Sequence, residues 1–316
     1  MLEFNLSITE LRIILTALEP IRLPAFAGSK LEGAFGHALY EIACTRTDLE
    51  ACAPCPLRQI CPFAALYMPM LPAHMNVASL ESPPRPLVFS TEFQNEHTIQ
   101  AGAYLEFGLR VFGRAKQHLP YIIAAIGQMG ANGIGNNRGR FELLEVKSLQ
   151  PYTLETKTIT TINNPIVQLE PIVIGIKDFP SLPKNKLTLH LETFMHLKTA
   201  GQVAETLQFP ILIRALQRRL SNLEQIYGSG SSVGGNFSEL PQLAREVHIY
   251  DQNTEFVSQR RSGHGRQAVV MNGLIGSVTY VGDLEPFTQL LRYGELIGVG
   301  KWAHFGAGRY RIEEEA

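Results

Sequence analysis

Four cysteines fall within eighteen residues: Cys44, Cys52, Cys55 and Cys61, a C-x7-C-x2-C-x5-C pattern with Pro54, Pro56 and Pro62 between and after them. Thiolates are soft ligands, and Cys52 and Cys55 have the spacing of a metal-binding knuckle. The expectation is a structural zinc ion that staples a Pro-rich insertion too short to hold its own core. An iron–sulfur cluster is the second choice of metal group. Four reduced thiols or a labile disulfide are the alternatives without metal. No H-E-x-x-H pair offers a hydrolytic metal site, and no G-x-S-x-G elbow offers a serine nucleophile.

Nine histidines compete for acid–base chemistry, for which an unperturbed imidazole of pKa ~6.5 is suited. His37 is the best placed. A helix over residues 27–43 puts Leu31, Ala34, Phe35, Ala38 and Ile42 on one apolar face. Lys30, His37 and Glu41 fall on another stripe, ~130° away at about 100° per residue. Gly33 and Gly36 leave space beside it. The plain alternative is a solvated helix face. His304 is second, in a glycine-rich stretch with Lys301 and Arg309; His264 lies between Arg260, Arg261 and Arg266. The other six histidines read as structural or solvated.

These residues need a scaffold. At 316 residues the chain is long enough for two domains, and 45% hydrophobic residues against 18% charged describe a folded protein rather than a disordered one. The net charge of −1 excludes a uniformly basic nucleic-acid binder but not a local basic face. No apolar run reaches the ~20 residues of a membrane helix, and the first residues lack the marks of a signal peptide, so a cytoplasmic location is expected. In the first half, strands are predicted at 11–15, 104–111 and 141–146, with helices at 27–43 and 115–128 and a glycine cluster at 127–140. In the second half, strands are predicted at 187–194, 245–250 and 274–281, with helices at 209–227 and 284–296 and a glycine-rich loop at 298–310. The second half, which closes on a short strand after that loop, follows the β-α-β-β-α-β order of a ferredoxin-like (RRM-like) unit, and the first half is read as the same unit. The expected class is therefore α+β, with two tandem ferredoxin-like domains. Their expected limits are 1–150, with the Cys-rich insertion at 44–62, and 186–316. Residues 151–185 are expected to be linker and irregular strands.

The last glycine cluster is not a phosphate loop: Lys301 is followed by Trp302 rather than Ser or Thr, and the cluster follows a helix where a dinucleotide loop would precede one. Residues 298–310 (GVGKWAHFGAGRY) instead resemble the C-terminal glycine-rich loop of the RAMP superfamily of CRISPR-associated proteins, most closely the repeat-processing endoribonucleases, the Cas-six family. Residues 31–39 (LEGAFGHAL), the cysteine block ending at 61–63, residues 212–223 (LIRALQRRLSNL), 273–276 (GLIG) and 280–284 (YVGDL) match in the same order. Family members often carry Thr in the last loop where this chain has Ala303. The resemblance implies tandem ferredoxin-like domains, binding of CRISPR repeat RNA and mature guide RNA, and metal-independent cleavage of precursor CRISPR RNA. Other CRISPR-associated effector subunits are the further partners it implies, with no membrane. It also implies a catalytic histidine in or just after the first helix.

RNA cleavage without a metal uses the 2′-hydroxyl as nucleophile. It needs a group to take that proton, another to protonate the leaving 5′-oxygen, and a cation for the phosphorane charge. The products are a 2′,3′-cyclic phosphate and a 5′-hydroxyl. His37 is expected as general acid or base, Lys30 as the charge stabiliser and Tyr40 as donor or orienter, with no catalytic metal. From 258 to 311 seven Lys or Arg stand against three acids. Arg260, Arg261, Arg266, Lys301, His304 and Arg309 are therefore expected to contact RNA. Arg214 and Arg218, i and i+4 on one helix face, are expected to join them, with Arg138 and Arg140 at the end of the first glycine cluster. The groups are expected to share one groove between the domains. The rival readings are a RAMP subunit that holds guide RNA in an effector complex without cutting it, and a zinc-stapled RNA-binding protein unrelated to CRISPR.

Overall fold

The computed structural model describes residues 4–49, 51–71, 83–91, 95–228, 238–261 and 269–313. The chain divides into two units: residues 5–175 with 225–230, and residues 1–4 with 176–224 and 231–316.

The N-terminal unit runs β1 (Ile8–Ala17), β2 (Ile21–Leu23), α1 (Gly28–Ala43), α2 (Pro62–Leu66), β3 (Leu87–Ser90), β4 (His97–Ile99), β5 (Tyr104–Phe112), α3 (Leu119–Asn132), β6 (Phe141–Leu149) and β7 (Thr156–Thr161). Its main sheet has the order β3-β5-β1-β6-β7, all neighbours antiparallel. Without β7 this is the ferredoxin-like order, fourth strand beside first, first beside third, third beside second. Strand β1 alternates because its apolar residues Leu11, Ile13 and Leu15 enter the core while Arg12 and Ile14 do not. Leu31, Phe35, Ala38 and Leu39 of α1, with Ile122, Ala125, Ile126 and Met129 of α3, bury against that core. Ile42, expected on the apolar face, is 37% exposed.

Two expectations for this half change. The helix predicted at 115–128 begins as a 3-10 turn, Gly113–His118. It then runs on through Gly127 and Gly130, because the flanking Ile126 and Met129 are core residues. Residues 151–185 are not all linker. Strand β7 pairs with the outer edge of β6, and Ile174 pairs with Ile8. The Thr-rich β7 lies at the sheet's rim, where few of its residues are buried, so it carries no strong hydrophobic signal.

The C-terminal unit contains β8 (Lys186–Met195), the short pair β9 (Lys198–Thr199) and β10 (Gln202–Val203), α4 (Phe209–Tyr227), α5 (Leu240–Leu243), β11 (His248–Arg261), β12 (Val269–Val281), α6 (Thr288–Ile297) and β13 (Tyr310–Ile312). Its sheet order, β11-β12-β8-β13, is again ferredoxin-like. Leu212, Leu216, Leu220 and Leu223 of α4 are buried, as the spacing predicts. The β11–β12 hairpin is much longer than predicted. Beyond Tyr250, β11 alternates Asp251, Asn253 and Glu255 on an edge strand, a pattern without the apolar residues that mark a core strand. Among the described residues no helix is long and apolar enough to cross a membrane.

Candidate active site and nucleic-acid interface

Helix α1 carries His37 to the surface of the N-terminal unit, where its side chain is 69% exposed. The core residues Leu31, Phe35 and Ala38 fix the helix rotation and turn His37 outward. Its Nε2 lies 3.1 Å from Glu41 Oε1, one turn later. The other carboxylate oxygen of Glu41 is held by α3: Asn132 Nδ2 donates to it at 2.7 Å and Gln128 Nε2 at 3.2 Å. Gln128 also donates to Asn132 Oδ1 at 3.1 Å. Two helices thus hold one carboxylate against one exposed imidazole. Sequence reasoning placed Glu41 on the right stripe but missed Gln128 and Asn132; their i, i+4 spacing at the end of α3 was the available signal.

The two companions proposed for His37 are not gathered around it. Lys30 is half-buried, two helical turns earlier and ~10 Å away along the axis. Its side chain makes no ion pair with a described residue. Tyr40 packs edge-on against Phe63 at a centroid distance of 5.3 Å. A hydrogen bond with Cys44, helped by desolvation, raises its phenol above the usual range. Tyr40 therefore belongs to the surroundings of the cysteines. The glycines also differ: a Cβ on Gly33 would meet open space, but the space at Gly36 is filled by the Tyr67 ring. That ring lies under the Arg85 guanidinium, 3.9 Å from its carbon, and Arg85 is ion-paired with buried Glu32. Burial lowers the Arg85 pKa to about 10.

Asn132 ends α3, and the chain then enters the first glycine cluster. This loop is pinned to β2: Asn136 N–H donates to the Arg22 carbonyl at 2.8 Å, and the Arg22 N–H donates to Asn137 Oδ1 at 2.9 Å. Arg138 is exposed, in the left-handed region at φ 53°. It has no ion pair with a described residue. Arg140, expected to contact RNA, is ion-paired within the unit: its Nη2 lies 2.7 Å from Glu19 Oε1. The antiparallel pairing of β1 with β6 brings that acid from 121 residues away. Exposed Arg22, from β2, adds a cation that sequence reasoning missed.

In the C-terminal unit, Arg214 and Arg218 are exposed on one face of α4, without ion pairs to described residues. The next residue, Arg219, turns inward. Its Nε donates to the Ile297 carbonyl at 2.9 Å, at the end of α6 where the glycine-rich loop starts, and burial lowers its pKa to about 10. Two cations of the 258–311 window, one of them expected to contact RNA, are already engaged. Arg292 is buried, with its Nη1 2.9 Å from Glu295 Oε2. Arg309 Nη2 lies 2.7 Å from Glu192 Oε2, an acid outside the window in which basic residues outnumbered acidic ones. Arg260 and Arg261 end β11, and Arg266 and His264 lie outside the described residues.

The glycine-rich loop folds onto the end of β8. Lys301 N–H donates to the His196 carbonyl at 3.0 Å, and Gly308 N–H to the Phe194 carbonyl at 2.9 Å. Trp302, at φ 63°, packs on His196 with centroids 4.9 Å apart. At Gly308, φ is 67° and a Cβ would run into the Val299 carbonyl oxygen. The glycines let the backbone approach its own neighbouring strand, so this loop is a packed one. Exposed Lys301 stands 4.4 Å over the Trp302 ring, and half-buried His304 stacks on Phe305 at 4.0 Å.

The four cysteines are free and line one pocket with Tyr40, Arg46, Arg58 and Phe63. Burial pushes the Cys52 thiol up, and the proximity of Cys61, Cys44 and Cys55 adds to this.

Two tandem ferredoxin-like units, the second ending in a glycine-rich loop folded on its first strand, define a RAMP-type RNA-associated fold. An N-terminal-domain family (AF_1859_N) matches residues 6–172. The family described as CRISPR-associated endoribonuclease Cas6 matches residues 189–310. The chain belongs to the first family, and its C-terminal domain matches the Cas6 family model. It is 26% identical to an uncharacterised protein of Archaeoglobus fulgidus, across 98% of this chain and 99% of that one. Its fold is that of a Cas6 product complex (TTHB231), with a TM-score of 0.59, 13% identity, and 97% and 100% of the two chains covered. It is also that of a RAMP protein binding different RNA substrates, with a TM-score of 0.50, 12% identity, and 97% and 100% covered.

Proposed function

We propose that this chain cleaves precursor CRISPR RNA within its repeats and keeps hold of the mature guide RNA. The observation that carries the reading is an exposed imidazole, His37, fixed by the anchored carboxylate of Glu41 at the entrance of the Arg138 loop, in a chain whose C-terminal domain matches the Cas6 family model. The 2′-hydroxyl before the scissile phosphate attacks in line. His37 takes its proton or delivers one to the leaving 5′-oxygen, and the products carry a 2′,3′-cyclic phosphate and a 5′-hydroxyl. Arg138 supplies positive charge for the phosphorane. No step uses a metal ion. Single-turnover cleavage of a repeat RNA in EDTA, compared with an unrelated hairpin, tests this. A chain that binds the repeat tightly and leaves it intact is an RNA-holding subunit instead. A place beside other CRISPR-associated effector subunits follows from the same reading.

Glu41 is a positioning residue in this scheme. Its Glu41→Gln variant keeps the side-chain size but loses the charge that orients the imidazole. We expect the single-turnover rate to fall about 10-fold, with RNA affinity unchanged. In a His37→Ala background the same substitution should have no further effect, because Glu41 acts only through His37.

Arg214 and Arg218 contact phosphates, with Lys301 and His304 presented by the glycine-rich loop. Each arginine lost should lower the slope of log affinity against log salt by about 0.7–0.9, similarly for every RNA sequence. Titrations of Arg214→Ala, Arg218→Ala and the double variant at several salt concentrations measure it. A slope equal to that of the unmodified chain would remove this helix face from the interface.

A further inference from the structure

The segment joining α1 to α2 folds without burying itself. Among residues 44–49 and 51–61 none is fully buried, and only Cys44, Arg46, Leu49, Cys52, Cys55 and Cys61 are half-buried. The rest are exposed, including Ile60 at 76%. A segment that turns Leu57 and Ile60 to water while Leu49 and its four thiols are only half-buried owes little to the hydrophobic effect. Its backbone is held by isolated turns: Cys55 N–H donates to the Cys52 carbonyl at 3.1 Å, and Cys61 N–H to the Leu57 carbonyl at 3.0 Å. All four sulfurs border one pocket of about 530 Å³, whose other lining residues include the cations Arg46 and Arg58.

We propose that Cys44, Cys52, Cys55 and Cys61 close as thiolates on a single zinc ion, and that this site fixes the connection between α1 and α2. Zinc takes four thiolates in a tetrahedron. The turn from Cys52 to Cys55 supplies two of them from one knuckle. Cys44 follows the last residue of α1 and Cys61 directly precedes α2, so the other two come from helix ends. With the thiols free, no three His, Cys, Asp or Glu side chains among the described residues stand close enough to hold an ion. Binding therefore draws the segment inward, with folding and metal uptake coupled. Four thiolates around a divalent cation leave two negative charges, which Arg58 offsets from the pocket wall; Arg46 on the same wall is already paired with Asp48 at 2.8 Å. The site is structural, since all four positions are filled by protein.

The test is elemental analysis of the untagged full chain, purified under reducing conditions from cells supplied with both zinc and iron, together with acid-labile sulfide. One zinc per chain is expected. Cys52→Ser and Cys55→Ser should each lower bound zinc at least about fivefold. Cobalt substitution should give the intense visible absorption of a tetrahedral thiolate site. Chains without metal, zinc retained in full by a Cys52→Ser/Cys55→Ser double variant, or iron with matching sulfide would each overturn the proposal. The stoichiometry of the unmodified chain decides it even where a cysteine variant fails to fold.

Discussion

A His37→Ala variant is expected to cleave repeat RNA about 10²–10⁴-fold more slowly than the unmodified chain, the range contributed by a positioned acid or base. RNA affinity and thermal stability should stay the same. The reason is local. The side chain is 69% exposed and its only partner among the described residues is Glu41, so its removal opens no cavity. It strands no buried charge either, since Glu41 is partly exposed and still held by Asn132 and Gln128. The rate therefore reports chemistry rather than folding. Full cleavage by His37→Ala would move the acid–base role to His304, the second choice from the sequence, which sits in the loop with Lys301.

The second large effect is on the glycine-rich loop. Gly308→Val forces a β-branched side chain into the left-handed region, at φ 67°, with its Cβ against the Val299 carbonyl oxygen. The backbone conformation alone costs about 1–3 kcal/mol, and displacing Val299 from its contact with Gly308 inside the loop adds about 1–3 kcal/mol as overpacking does elsewhere. At about 2–4 °C per kcal/mol for a unit of this size, the melting temperature should fall by roughly 4–24 °C. RNA binding should weaken with it, because Lys301 and His304 are carried on the displaced loop. Gly33→Ala is the control. Its Cβ meets nothing within 4 Å in the middle of α1, so melting should hold steady or rise. Equal destabilisation by both variants would show that loop packing is not the cause.

Much of this architecture could be read from residue spacing. The apolar stripes of α1 and α4 and the alternation of β1, β5 and β8 each bury one face, so periodicity and core coincide. That is enough to place His37 outward and Arg214 with Arg218 on one face. What spacing could not supply is pairing across long separations. Glu19 reaches Arg140, and Glu192 reaches Arg309, only because antiparallel strands align distant residues. Counting charges over 258–311 treated Arg309 as free because Glu192 lies outside that window. The glycines misled in a related way. Gly36 looked like room for a ligand and holds the Tyr67 ring; the last loop's glycines admit strand β8 rather than an open partner. The edge strand β7 and the outer half of the β11–β12 hairpin escaped notice because polar residues on a sheet's rim carry no burial signal.

The account rests on attack by the substrate's own 2′-hydroxyl, assisted by protein side chains alone. A repeat RNA carrying a single 2′-deoxy nucleotide at the cleaved position, incubated with excess protein in EDTA, tests it most directly. The deoxy substrate should bind as tightly as the all-ribose RNA and remain uncut, while the all-ribose RNA yields a 2′,3′-cyclic phosphate end. Cleavage of both RNAs at similar rates, or an all-ribose RNA that stays intact until a divalent ion is added, would contradict it.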